Sequence, residues 1–137
     1  MNYRKYRLSR LWLHIVSMPL IWLPLPFLII LDLTCALYQF VCFPIYGIKW
    51  VKRSEYILIM DRNKLAYLNG LEKIGCMYCG YANGVFLYLK EVAGQTEKYW
   101  CGVMHEEKVG FKMQTNQLDQ NFARFNDEED FKDKYIK

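Results

Sequence analysis

Residues 76–105 read CMYCGYANGVFLYLKEVAGQTEKYWCGVMH, and the way this stretch folds decides the rest of the chain. It carries two pairs of metal-capable side chains, Cys76 with Cys79 and Cys101 with His105. A CxxC pair alone is common. A CxxC followed by CxxxH is more specific, because it supplies four donors for a closed tetrahedral site. A CxxC turn lets two thiolates converge near backbone amides, and a helical CxxxH puts a sulfur and an imidazole nitrogen on one face. The expected result is a Cys3His site for Zn²⁺ through Cys76, Cys79, Cys101 and His105. Its net charge of about −1 would be balanced by Lys73, Lys98 and Lys108. Iron or an iron–sulfur cluster is the alternative metal. The structural alternative is a set of buried thiols packing as small hydrophobes.

The surroundings fit a helix–turn–helix frame for that site. Asp61 can cap a helix over Arg62–Ile74, in which Leu65, Leu68, Leu71 and Ile74 form one apolar face. Gly75 then stops it, and the GYANG sequence at 80–84 reads as a turn. A second helix is expected from Val85 to His105, with Val85, Leu89, Val92 and Thr96 on one face. If it continues past Gly94, then Glu97, Cys101 and His105 share a stripe. The run at 54–60, SEYILIM, is β-prone or a connector.

Upstream lies a different kind of sequence. Residues 1–10 form a basic head, and Leu11–Ile48 carry a single charge, Asp32. This apolar run is too long for a secretory signal and lacks its cleavage pattern. Pro19, Pro24 and Pro26 break it. Two arrangements remain open, a re-entrant helical hairpin or one kinked membrane span. The first arm, Leu11–Leu23, is only about 20 Å long as helix, and basic residues flank the run on both sides, which favours the hairpin. Trp12, Trp22, Tyr38, Tyr46 and Trp50 are interface-anchor candidates. His14 is expected at the interface. Asp32 either caps a helix near a polar edge or faces protein or water. Cys35 and Cys42 share a helix face and read as small packing residues.

Charge is distributed to match. The first 53 residues carry seven basic residues against one acid, and the remainder is slightly acidic, within a formal total of +4 over 137 residues. That pattern points to a membrane surface and not to nucleic acid. Five cysteines without a secreted-type framework favour a reducing compartment. The tail, 111–137, is polar and helical in part. Leu118, Phe122 and Phe125 suit a turn or two, Asn126 with Glu129 resembles a capping box, and Phe131 with Tyr135 follows. It reads as a solvated face or a partner-docking arm. The haem motif CxxCH is absent, because Gly80 stands where it needs histidine. A thiol-redox or electron-transfer protein using the same four residues is the second functional class. No catalytic residue is assigned. A hydrolytic zinc would need an open position, with Glu97 as its base.

Residues 61–84, DRNKLAYLNGLEKIGCMYCGYANG, and 93–105, AGQTEKYWCGVMH, resemble a family of small bacterial membrane-associated proteins. That family shows an apolar N-terminal segment, a junction like Tyr46-Gly47-Ile48-Lys49, and a CxYCGYANG…TExYWCxxxH motif pair. The resemblance covers roughly residues 27–110 and implies a layout, not an activity. Its matching positions include Tyr78, Tyr81, Asn83, Glu97 and Trp100, with Asn83 and Glu97 as partners that would orient the ligands. The combined expectation is a mainly α protein of the cell inner membrane. It has a basic head (1–10), a membrane segment (11–50), a cytoplasmic metal-binding helical domain (51–110) and a polar tail (111–137). Its expected role is as an interaction or scaffold module, with the lipid bilayer and a protein docked through the tail as partners.

Overall fold

The computed structural model describes residues 11–59, 61, 64–68 and 70–136. The basic head lies outside them, as do Arg62 and Asn63, where the Asp61-capped helix was expected to begin. The protein is mainly helical, with no strand among the described residues. Its helices are α1 (Leu11–Trp22), α2 (Leu25–Tyr46), α3 (Arg53–Tyr56), α4 (Gly70–Trp100), α5 (Thr115–Asp119) and α6 (Glu128–Tyr135).

Helices α1 and α2 do not form a hairpin. Pro24 has helical angles, φ −68° and ψ −18°. The Leu23 N–H bonds to the Pro19 carbonyl at 3.0 Å, and the Leu28 N–H to the Pro24 carbonyl at 2.9 Å. Helical bonding therefore persists on both sides of the break. A proline in the first turn of a helix gives up only a donor that has no partner there. The result is one broken helix, apolar over the 32 residues Ile15–Tyr46. It ends at Gly47, whose N–H reaches the Phe43 and Pro44 carbonyls.

The chain then doubles back. Residues 48–58, with α3 among them, run along α2 toward its N-terminal end and lead into α4. Helix α4 runs parallel to α1–α2, as its contacts show in order. Tyr78 stacks on Trp22, Tyr81 reaches Asp32, Thr96 meets Tyr38, and Tyr99 stacks on Tyr46. The core fills the space where α2, the return segment and α4 meet. Leu28 and Phe43 come from α2, Val51 and Ile57 from the return segment, and Val85, Tyr88 and Val92 from α4.

Residues that read as stops and turns lie inside α4, a single helix of 31 residues. Gly80 and Gly84 serve close packing. A Cβ on Gly84 would stand 2.7 Å from the Tyr56 carbonyl oxygen and 2.9 Å from the Ile57 Cα, and one on Gly80 3.3 Å from the Leu58 carbonyl oxygen. The return segment can lie on α4 only where side chains are missing. At the other end α4 stops at Trp100, and Gly102 turns the chain with φ 62°. The Glu97–Cys101–His105 stripe is therefore broken before His105.

The tail folds back on this end and is not a free arm. Phe122 and Ala123 are buried, and Val103 bridges Ala123. Tyr135 donates to the Gly102 carbonyl at 3.0 Å, and Lys98 to the Gln120 carbonyl at 2.9 Å. Helix α6 is capped by Asp127 and not by Asn126, which takes φ 55°. Phe131 and Tyr135 pack at the expected i, i+4 spacing.

Two glycines of α4 separate packing from propensity. Gly84→Ala is expected to lower stability by about 1–3 kcal/mol through backbone overlap. Gly75→Ala, with nothing within 4 Å of its Cβ, should raise it by up to ~1 kcal/mol. Thermal unfolding in mild detergent measures both. Equal effects would contradict the packing of the return segment on α4.

Candidate functional site

The four expected ligands are not brought together. Cys76 and Cys79 sit near the start of α4, and Cys101 and His105 follow its end. About 30 Å of helix lies between Cys79 and Trp100, at ~1.5 Å per residue. Within one chain a single ion cannot contact both pairs. The helix is continuous because Gly75, Gly80 and Gly84 do not turn it. No group of three or more His, Cys, Asp or Glu suited to a metal occurs among the described residues. The Cys3His arrangement is thus not confirmed by this structure, in which the four residues stand as two separate pairs.

Each pair has its own surroundings. Cys79 and Cys101 are exposed and Cys76 is half-buried. Cys76 and Cys79, one helical turn apart, have Cβ atoms ~5–6 Å apart, beyond the ~3.8 Å typical of a disulfide, so oxidation would open that turn. They line a cavity of about 1090 Å³ between α1 and α4, with Met18, Trp22, Tyr67 and Leu87 also in its wall. Asn83 donates to the Cys79 carbonyl at 2.8 Å, a bond within its own helix. Glu97 accepts from Gln117 at 2.7 Å and from Asn116 at 3.3 Å. His105 Nε2 stands 4.0 Å from the same carboxylate. Glu97 thus ties α5 to α4.

A different pair of polar residues organises the molecule. Asp32 and Gln39 are buried on α2, at 5% and 1% exposure. Arg53 Nε donates to both Asp32 oxygens, at 2.9 and 3.2 Å, and Nη2 donates to Oδ2. The Tyr81 hydroxyl donates to Oδ2 at 3.0 Å. Gln39 exchanges two bonds with the Val51 backbone, each 3.1 Å, as a strand neighbour would, and its amide also reaches the Tyr88 hydroxyl at 3.4 Å. The hydrogen bonds to Asp32 hold the Arg53 guanidinium above its ordinary pKa. Burial raises the Tyr81 phenol, with the bond to Asp32 adding to it, and burial pushes Tyr88 up to about 12. All three groups therefore keep one charge state across the physiological range.

The outer surface of α1–α2 has the opposite character. Trp12, Ile15 and Leu20 of α1, and Phe27, Leu37 and Ile45 of α2, are each more than 60% exposed. An apolar surface of this extent on a soluble protein marks an interaction site. Sequence reasoning named Asp32 but not its partner Arg53, and missed Gln39. The available signal was a lone acid in an apolar run followed by a lone Lys-Arg step after it.

Comparison with family models, with curated proteins and with solved structures finds no match to this chain.

Removing one member of the ion pair should cost more than removing both. Arg53→Leu leaves the buried Asp32 carboxylate without its cation, whereas Asp32→Leu with Arg53→Leu leaves an apolar contact. A double-mutant cycle by chemical unfolding is expected to give a coupling energy of at least ~1 kcal/mol. Additive losses would show that the pair does not hold the return segment.

Proposed function

We propose that this chain is a membrane-attached interaction module, held at the bilayer by the outer face of α1–α2 and presenting its polar elements to water. The observation that carries the reading is the 32-residue apolar helix with its outward side chains exposed. Burying a side chain such as Leu or Phe in hydrocarbon contributes roughly 1.5–3 kcal/mol, so half a dozen exceed what most peripheral contacts supply. Trp12, Trp22 and Trp50 suit the level of the lipid head groups. The basic residues flanking the apolar run favour the cytoplasmic face of the inner membrane, where anionic lipid and the positive-inside tendency act together.

The polar side of the module consists of α3, α5, α6 and the charged flank of α4. It offers ion pairs and helix caps, surface features in keeping with a binding or scaffold role. A zinc ion held by Cys76, Cys79, Cys101 and His105 together would have to join two chains. The thiol-redox alternative would require the helix to open at Cys76–Cys79 before a disulfide could form there.

Flotation with phospholipid vesicles tests the attachment. The native chain should rise with the vesicles. A variant carrying Leu37→Asp and Val41→Asp, both exposed and clear of the core, should lose most of its vesicle-bound fraction. A native chain that stays at the bottom of the gradient would overturn the reading.

A further inference from the structure

The orientation of the apolar helix follows from what is packed against it. Upright, the Ile15–Tyr46 helix would extend about 48 Å, against a hydrocarbon core of ~30 Å. Asp32 would then lie near the bilayer centre, with Arg53 beside it. Lys52 and Glu55, on and beside α3, would stand at the same level with side chains 72% and 61% exposed. Helix α4 runs alongside α1–α2, and it carries Lys73, Lys90, Glu91 and Lys98 along its length. No upright placement keeps all these charges out of lipid.

Laid flat, the charges separate from the apolar surface. Residues two or five apart on a helix lie on roughly opposite faces, at ~100° per residue. On α2, Asp32 faces the return segment, and Phe27, Ile30, Leu37 and Val41 lie opposite it, each exposed. On α4, Gly84 faces the return segment, and Phe86 and Ala93 lie opposite it, with Leu71 and Trp100 near the two ends of the same uncharged stripe. Phe86 is 58% exposed, Leu71 75% and Trp100 66%. Because α2 and α4 are parallel and share the return segment on one side, these stripes face the same way. Together they form one apolar underside, and the ion pairs lie above it.

We propose that the module is monotopic: α2 and α4 lie side by side in the plane of a single phospholipid leaflet, with the return segment on the water side. This rests on the membrane attachment proposed above and adds its geometry. The partner is the acyl-chain surface of one leaflet. Side chains of both helices enter it to a depth of roughly 5–10 Å, as for other in-plane amphipathic helices.

The test uses the native chain added to preformed vesicles of phosphatidylcholine with phosphatidylglycerol, followed by a membrane-impermeant amine reagent outside. Lys49 lies beyond the C-terminal end of α2, and Lys73 in the first turns of α4, at the other end of the slab. In-plane binding leaves both at the outer surface, so both are modified to the same extent before and after the vesicles are opened by detergent. A rise of about twofold or more at either lysine on opening would show a chain that crosses, and would overturn the proposal while the attachment stands. A chain that does not float would instead overturn the attachment itself. A second readout needs one exposed substitution. Phe86→Asn should lower the vesicle-bound fraction several-fold if α4 touches lipid, and unchanged binding would take α4 off the bilayer.

Discussion

Asp32 and Gln39 are the buried polar side chains of α2, and both are satisfied by the returning chain. Asp32 takes the Arg53 guanidinium, and Gln39 takes the peptide of Val51. Neither group can be left unpaired against an apolar surface without a cost of about 1–3 kcal/mol for the amide and more for the carboxylate. The apolar helix is therefore stable in this environment only with the return segment seated on it. That constraint gives α2 two unlike sides, one committed to protein and one left apolar.

The rest of the architecture follows. A return segment lying on α2 needs a second wall, and α4 provides it at Gly80 and Gly84, where missing side chains admit the backbone. The connection must travel back along α2 before α4 begins, so α4 runs parallel to α2 and covers its length. Its charged flank and its uncharged stripe are then fixed relative to the underside of α2. The tail closes the far end, with Glu97 holding Asn116 and Gln117, and with Tyr135 on Gly102. The proposed attachment and orientation thus follow from one packing decision.

Part of this was legible in the sequence. The long apolar run, the mainly helical content, the apolar face through Val85, Leu89 and Val92, and the partial helicity of the tail follow from periodicity and composition. The break at Leu23-Pro24 was also visible, but not its outcome, because proline in a first turn is compatible with helix. The expected site rested on a related reading. Glycines at 75, 80 and 84 signal turns when propensity is considered alone, and a turn there would have folded Cys76 and Cys79 toward Cys101 and His105. Tertiary packing reversed that weight, since two of the three glycines are where another backbone passes. The Asp32–Arg53 pair spans twenty-one positions between α2 and the start of α3, and no local pattern encodes it.

The central claim is that the return segment is a fixed part of the apolar helix and not a loose loop. Amide hydrogen exchange at Val51, in the bilayer-bound protein, tests it most directly, because this N–H is buried and donates to the Gln39 side chain. The account predicts protection comparable to that of Val85 and Tyr88 in the core of α4, and its loss in Gln39→Leu. Exchange at Val51 as fast as at an open loop, with α4 still protected, would contradict it and would leave α2 free to stand upright in the membrane.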